Sequence, residues 1–127
     1  MNAKSNDRYD TRLDIKFPPL EKIDVPALVA ANKHPWFNQT LSKVNESVLR
    51  LGVFEPGEYH WHKHESDDEL FFVLEGKLLV DLEDRTVELN RWEGITVPKG
   101  AMHRTRATQR TVILMMETAA IIPTGDA

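Results

Sequence analysis

Three histidines stand at strict two-residue spacing in one short stretch of the sequence: His60, His62 and His64. Side chains alternate between the two faces of a β-strand, so a strand here would turn all three imidazoles to the same side. Glu69 follows after a short acidic run, at the start of an apolar segment. Imidazole nitrogens and a carboxylate oxygen together are ligands that first-row transition metals accept. The stretch therefore predicts a site for a divalent metal, which could be iron, manganese, nickel, copper or zinc.

The residues around this stretch are predicted to be mostly β-strands. From residue 38 onward, short segments with alternating apolar and polar side chains are separated by turns containing Pro or Gly. Many short strands with turn signals between them are typical of a β-sandwich or barrel. The predicted strands cover residues 47–54, 58–64, 69–75, 77–83, 86–89, 95–97, 102–107 and 111–117. The side chains predicted to fill the interior are Phe71, Val73, Leu78, Val80, Ile113 and Met115.

An extended arm is predicted ahead of the β-rich part. Leu13, Ile15 and Phe17 alternate with charged residues and are followed by two prolines, which indicates a short edge strand. An edge strand presents unpaired backbone groups to a second copy of the chain, so we expect a homodimer. Residues 1–12 are polar and are predicted to be frayed.

One short helix is predicted after the arm. Asp24 can cap a helix N-terminus, and Pro26 is tolerated in a first helical turn. Helix-favouring residues then continue to Asn32, a residue type that commonly closes helices. The helix is expected to have about two turns.

Composition argues against several classes of function. The chain has 127 residues and a net charge of −4, and its charges are interspersed without a basic face, which argues against nucleic-acid binding. Cysteine is absent, so the sequence has neither disulfides nor a thiolate metal site. No apolar run approaches the roughly 18 residues that span a bilayer, and the N-terminal residues lack the apolar core of a signal peptide. A cytoplasmic protein without a membrane partner is expected.

The histidine stretch and a later turn resemble the two sequence motifs of the cupin family. Gly57, His62, His64, Glu69 and Gly76 match the first motif, and Gly94, Pro98, Gly100 and His103 match the second. The motifs occur in the family's order, and the resemblance covers roughly residues 44–118. The sequence departs from the motifs at three places. Gly57 lies closer to His62, and Gly94 closer to Pro98, than the family's motifs require, and Ala107 stands where the second motif has an asparagine.

The resemblance implies an all-β fold, the cupin double-stranded β-helix or jelly-roll barrel, here with a short N-terminal helix. It implies one domain over residues 1–127, with the barrel core at about 44–118 and the arm and helix at 13–37. It also implies that a divalent metal is bound by His62, His64, Glu69 and His103 and that a small-molecule ligand binds inside the barrel.

Two other residues compete with these for a place in the metal site. His60 would share a strand face with His62 and His64, so a shifted register would make His60 and His62 the ligands. The spacing to Glu69 favours His62 and His64, and His60 is then expected to line the pocket as an acid/base group beside the metal. Asp68 could take the place of Glu69, which fits better because it begins the apolar segment.

The resemblance leaves the reaction open, because one fold hosts many chemistries. We place a dioxygenase-type enzyme, acting on a small molecule in the barrel, slightly ahead of the other hypotheses. A metal-dependent isomerase or lyase of sugar-like substrates is the second hypothesis. The third is a barrel that binds or senses a small ligand without turnover.

Overall fold

The structure is a computed structural model, and it describes residues 8–121 and residue 125. In sequence order the elements are β1 (Asp10–Arg12), α1 (Val25–Ala31), β2 (Trp36–Val44), β3 (Ser47–Phe54), β4 (Gly57–Glu58), β5 (Glu69–Glu75), β6 (Leu78–Leu82), β7 (Thr86–Leu89), β8 (Gly94–Val97), β9 (His103–Ala107) and β10 (Thr111–Thr118). Within the described residues, no helix is long and apolar enough to cross a membrane.

The strands form two sheets whose buried side chains pack into one cluster. The larger sheet has the order β1-β2-β3-β10-β5-β8, and the smaller has the order β4-β9-β6-β7. β5 and β6 follow each other in the chain but lie in different sheets, and Gly76 turns the chain between them with a φ of 87°. An added Cβ at Gly76 would overlap the carbonyl oxygen of Arg110, so the turn needs glycine for space as well as for conformation. This all-β sandwich is the jelly-roll architecture that was predicted.

Apolar side chains from both sheets fill the space between them. Six of them are the residues predicted for the interior: Phe71, Val73, Leu78, Val80, Ile113 and Met115. None of the six is more than 4% exposed. Alternate residues of a strand face the same side, and in β5, β6 and β10 the alternation in the sequence marks that side. The predicted interior is confirmed.

A second apolar cluster lies on the outer face of the larger sheet, beneath α1. Leu51 and Val53 of β3 belong to it, and apolar side chains of α1 pack against it. The side chain of Asp24 caps α1 by accepting a hydrogen bond from the amide of Ala27 at 3.1 Å. The predicted helix is confirmed.

The edge strand predicted over residues 13–17 is wrong. The strand of this arm is β1, which lies earlier and pairs in parallel with β2. Leu13 and Ile15 are 59% and 46% exposed, so their side chains are not buried as the predicted strand required. Beyond β1 the arm is held by two backbone hydrogen bonds, from the amides of Lys16 and Phe17 to β2.

Two further differences concern the first third of the chain. Residues 8–12 were predicted to be frayed, but β1 and its neighbours hold them in place; residues 1–7 lie outside the described part. The sequence pattern also fails to indicate β2 as a strand. Asn38, Gln39 and Thr40 lie in the middle of β2, and these polar side chains interrupt the alternation that marks the other strands.

A buried carboxylate stabilises the smaller sheet. Arg104 and Arg106 of β9 both bind Asp81 of β6, with Nε–Oδ2 distances of 2.8 and 2.6 Å. The hydroxyl of Thr86 in β7 donates to the same carboxylate at 2.7 Å. The Arg106 hydrogen bond, with those of Thr86 and Arg104, holds the pKa of Asp81 well below its usual range. This cluster therefore ties three neighbouring strands together through one negative charge.

Candidate metal centre

Four buried side chains converge between the two sheets. They are His62, His64, Glu69 and His103, the four residues that the resemblance implied as ligands. Each offers one nitrogen or oxygen atom, and these atoms all lie within 4.8 Å of one another. The four residues are only 8%, 2%, 4% and 1% exposed. Glu69 begins β5 and His103 begins β9, whereas the other two lie in the segment between β4 and β5.

The histidine segment is not the continuous strand that was predicted over residues 58–64. The ladder between β4 and β9 starts at Gly57 opposite Ala107 and ends at Glu58 opposite Arg106, and pairing resumes as a single bridge between His62 and His103. The four residue steps from Glu58 to His62 therefore lie opposite only three steps of β9, from Arg106 to His103. This one extra residue is a β-bulge. The amides of His62 and His103 each donate to the other's carbonyl oxygen at 2.9 Å. The bulge thus fixes His62 against β9 without a regular strand.

His60 lies beside the four converging residues, with its ring centroid 5.3 Å from that of His62, but it is not one of them. The Nδ1 atom of His60 lies 3.1 Å from the hydroxyl of Tyr9, and its ring stacks on Tyr59 with centroids 4.7 Å apart. His60 is therefore a neighbour of the group and not a member of it.

Asp68 likewise lies outside the group of four, because its carboxylate binds the backbone of the turn in the second motif. Its Oδ1 atom accepts a hydrogen bond from the amide of Lys99 at 2.9 Å. The amide of Gly100 in the same turn donates to the carbonyl oxygen of His64 at 2.8 Å. The Pro98–Gly100 turn is thus attached to both ends of the acidic loop that precedes Glu69.

Backbone carbonyl groups determine which ring nitrogen of two histidines faces the centre. The Nδ1 atom of His62 lies 3.0 Å from the carbonyl oxygen of His60, and that of His103 lies 2.9 Å from the carbonyl oxygen of Ala101. A carbonyl oxygen only accepts, so both Nδ1 atoms carry the proton. In the neutral rings the Nε2 lone pairs are then free to bind a metal, which is the usual arrangement of metal-ligating histidines.

The charges around Glu69 fit a cation at the centre. The Nε2 atoms of His64 and His103 each lie 3.3 Å from Oε1 of Glu69. In the neutral His103 ring the Nε2 atom carries a lone pair, and this lone pair faces a lone pair on Oε1 of Glu69. Two buried lone pairs at this distance repel each other unless a metal ion or a proton lies between them. Burial lowers the pKa of His62 to about 4, so this ring is neutral at pH 7. Burial would raise the pKa of Glu69, but the neighbouring His103 and His64 rings outweigh burial and lower it.

A small cavity of about 30 Å³, partly open to solvent, lies beside the four residues. Its lining residues are Tyr9, Thr11, Trp36, Phe37, Asn38, Phe54, Tyr59, His62, Glu69, Phe71, Thr105 and Met115. His62 and Glu69 thus belong both to the converging group and to the cavity wall. The cavity therefore adjoins the centre.

Sequence reasoning missed most of this wall. Tyr9 and Thr11 belong to the arm that was predicted to be frayed, and Trp36 and Asn38 belong to the strand that was not predicted. Trp61, between His60 and His62, is 43% exposed, and the Arg104 guanidinium lies 5.1 Å from the centre of its ring.

Gly125 lies against the side chain of His62. Its φ is 101°, and an added Cβ would come within 2.6 Å of the Cβ of His62. Real side chains do not approach so closely, and the backbone conformation is one that favours glycine. Gly125 therefore packs directly against His62, one of the four converging side chains.

Comparison with known proteins identifies similar chains. A family model described as Cupin domain matches residues 50–117. The uncharacterized protein YdbB of Bacillus subtilis (strain 168) is 49% identical over 81 residues, covering 63% of this chain and 71% of YdbB. Polyketide synthase CurC of Streptomyces cyaneus is 37% identical over 59 residues, covering 46% of this chain but only 38% of CurC. A cupin-2 domain containing protein from Shewanella frigidimarina NCIMB 400 is 28% identical with a TM-score of 0.71, covering 76% of this chain and 93% of that one.

Proposed function

The chain belongs to the cupin-domain family, and on that premise we propose that it binds one divalent transition-metal ion through His62, His64, Glu69 and His103. The observation that carries this proposal is the contact between His103 and Glu69. The Nδ1 proton of His103 is committed to a backbone carbonyl, and its Nε2 atom lies 3.3 Å from a buried carboxylate oxygen. Three imidazoles and one carboxylate suit iron, manganese, nickel, copper or zinc.

We further propose that the protein is an enzyme of the dioxygenase type, acting on a small organic molecule held in the cavity. A bound ion of this kind supplies Lewis acidity and, where the metal is redox-active, electron transfer. The apolar wall excludes water from the site and orients the molecule next to His62 and Glu69. Both of these side chains line the cavity, so the molecule lies beside the ion.

The cavity is poorly equipped for isomerase or lyase chemistry, which needs a general base beside the substrate. Within the described residues, the titratable side chains of the wall are Tyr9, Tyr59, His62 and Glu69. The last two belong to the metal group. Burial raises the pKa of Tyr59 far above neutrality, so this hydroxyl is not a base at pH 7. His60 contacts the wall through the hydroxyl of Tyr9. For these reasons we place oxygenase-type chemistry ahead of isomerase or lyase chemistry.

Elemental analysis of protein purified without chelator tests the ligand assignment. We expect about one metal ion per chain in the wild type and almost none in His62→Ala or His103→Ala. His60→Ala is the matched control: it removes an imidazole two residues from His62 and should retain the metal. Wild-type metal content in His103→Ala would refute the assignment, and loss of metal in His60→Ala would favour the shifted register.

The identity of the metal then separates the proposed reaction from its alternatives. Iron, manganese, nickel or copper together with oxygen consumption, measured with an oxygen electrode and a panel of small phenols and enols, is the result expected for an oxygenase. Zinc without oxygen consumption would contradict oxygenase chemistry and favour the isomerase or the non-catalytic binding module. A small molecule that co-purifies unchanged would favour the binding module.

A further inference from the structure

A buried ion pair lies in the barrel interior outside the group of four. Arg50 of β3 and Glu117 of β10 are 2% and 4% exposed, and the Nε atom of Arg50 lies 3.0 Å from Oε1 of Glu117. The guanidinium also donates a hydrogen bond to the hydroxyl of Thr40 at 2.8 Å. A guanidinium keeps its proton inside a protein, so its buried charge needs a carboxylate beside it. Glu117 is therefore the counter-ion of Arg50.

Glu117 lies between this guanidinium and Glu69 in the larger sheet. β10 pairs with β3 on one side and with β5 on the other. The β10–β5 ladder ends with Met116 opposite Leu70, so Glu117 and Glu69 occupy the next opposed positions. Residues opposed in this way have Cβ atoms about 4.5–5.5 Å apart. Both side chains are buried at positions that alternate with the interior side chains of their strands, so Glu117 neighbours a proposed metal ligand.

The two carboxylates repel each other, and the guanidinium offsets this repulsion for one of them. Burial raises the pKa of Glu117, the negative charge of Glu69 raises it further, and the charge of Arg50 opposes both. Two carboxylates and one guanidinium leave this part of the interior one positive charge short of balance. A metal ion bound by Glu69 supplies positive charge there, provided that the guanidinium stays with Glu117.

We propose that Glu117 is a positioning residue of the metal centre: by holding the guanidinium of Arg50, it keeps Glu69 available to the metal ion. Within the described residues the other buried carboxylates are Glu69 and Asp81, and Asp81 is already bound by two arginines. Without Glu117, the guanidinium would take Glu69 as its counter-ion and compete with the metal for it. This inference rests on the proposed function, because it concerns how tightly the four residues bind their ion.

The affinity for Zn²⁺, measured by competition with a chromogenic chelator, separates this role from a structural one. At about pH 8.5 the Glu117 carboxyl is ionised in every variant that retains it. Glu117→Gln should weaken Zn²⁺ binding at least about tenfold, because it leaves the guanidinium beside the ion without its counter-ion. Arg50→Met should bind Zn²⁺ at least as tightly as the wild type, because it removes a positive charge. A pair that only supported the fold would weaken Zn²⁺ binding in both variants.

The double variant Arg50→Met/Glu117→Gln removes both charges and should bind Zn²⁺ within about threefold of the wild type. Asp81→Asn is the matched control: it also takes a buried carboxylate from its arginines, but outside the group of four, so it should lose stability and keep its Zn²⁺ affinity. Unchanged affinity in Glu117→Gln, weaker binding in Arg50→Met, or equal weakening in Asp81→Asn would overturn the proposal. If Glu117→Gln does not fold, weaker binding than the wild type in Arg50→Met or in the double variant still overturns it.

His103→Ala, measured in the same way, keeps this inference distinct from the proposed function. A wild type that binds Zn²⁺ as weakly as His103→Ala would refute the metal centre and this inference with it. Tight binding that His103→Ala abolishes and Glu117→Gln leaves unchanged would refute only the role of Glu117.

Discussion

The Nδ1 atom of His103 lies 2.9 Å from the carbonyl oxygen of Ala101, and this contact turns the Nε2 atom of the ring toward Glu69. The acceptor is a backbone atom, so no side-chain substitution removes it. The orientation of this ring is therefore a property of the turn between β8 and β9. The second motif thus contains both His103 and the backbone carbonyl group that determines which of its ring nitrogens carries the proton.

Removing the metal should lower the thermal stability of the wild type. An ion that binds only the folded chain stabilises it by about 2.7 kcal/mol at a hundredfold excess over Kd, which corresponds to a rise in Tm of roughly 10 °C. Scanning fluorimetry with and without EDTA measures this difference. His103→Ala should show almost no difference between the two conditions, whatever its own Tm. A full metal-dependent shift in that variant would mean that the ion binds elsewhere.

The metal-free protein should lose stability between about pH 6.5 and pH 4. Burial lowers the pKa of His62 to about 4, so the unfolded chain takes up a proton in this range before the folded chain does. Stability is therefore fully present above pH 6.5 and falls by about 3 kcal/mol at pH 4. Urea unfolding in EDTA at several pH values gives the slope. His62→Gln should flatten this slope, and an unchanged slope would show that other groups cause it.

Asp81→Asn should destabilise the protein at neutral pH. It removes the charge that Arg104 and Arg106 share, and hydrogen bonds to charged groups contribute about 1.5–3 kcal/mol. The pKa of Asp81 is depressed by folding, so its contribution is present above the pKa of the unfolded chain, near 3.8, and is lost in stronger acid. The wild type and the variant should thus differ at pH 7, and the difference should begin to shrink as the pH falls below about 3.8. A difference that stays constant from pH 7 down to pH 2.5 would point to lost packing.

Gly76→Ala should be more destabilising than Gly100→Ala. The two glycines have similar φ values, 87° and 82°, so the conformational cost of about 1–2 kcal/mol is common to both. An added Cβ at Gly76 would overlap Arg110 and Thr111, whereas at Gly100 it meets nothing within 4 Å. The overlap should add about 1–3 kcal/mol to the loss of unfolding free energy measured in urea. Equal losses would mean that the β5–β6 turn relaxes to admit a methyl group.

Gly125→Ala should weaken metal binding more than it weakens the fold. The added methyl group would press on the side chain of His62, which the bulge holds against β9. We therefore expect a smaller metal-dependent rise in Tm, in addition to the conformational cost of about 1–2 kcal/mol that an alanine at positive φ carries in Gly100→Ala as well. Gly100→Ala is the control, because it changes a glycine of similar positive φ in open space. An unaltered metal response in Gly125→Ala would show that the contact yields without moving the ring.

The sequence predicted the four converging residues because its resemblance to the two cupin motifs identifies them, even though the strand assumed for the histidines is interrupted. It did not predict the cavity wall, and β3 shows why. The apolar face of β3, with Leu51 and Val53, packs under α1, whereas its barrel face carries Arg50 and Gly52. Arg50 is 2% exposed and pairs with buried Glu117 at 3.0 Å. Where a strand is buried on both faces, hydrophobic alternation does not reveal which side lines a cavity.

The position of β10 in the larger sheet has a consequence for how the chain folds during its synthesis. β10 is the last strand along the described chain, yet it lies between β3 and β5 and pairs with both. Until it leaves the ribosome, the three N-terminal strands and the β5–β8 pair have no backbone connection within this sheet. Their facing edges are exposed meanwhile, and such edges pair readily with other nascent chains. Glu69 begins β5, so the proposed metal site also forms late, and a metal ion bound there is expected to bind after translation rather than to nucleate folding.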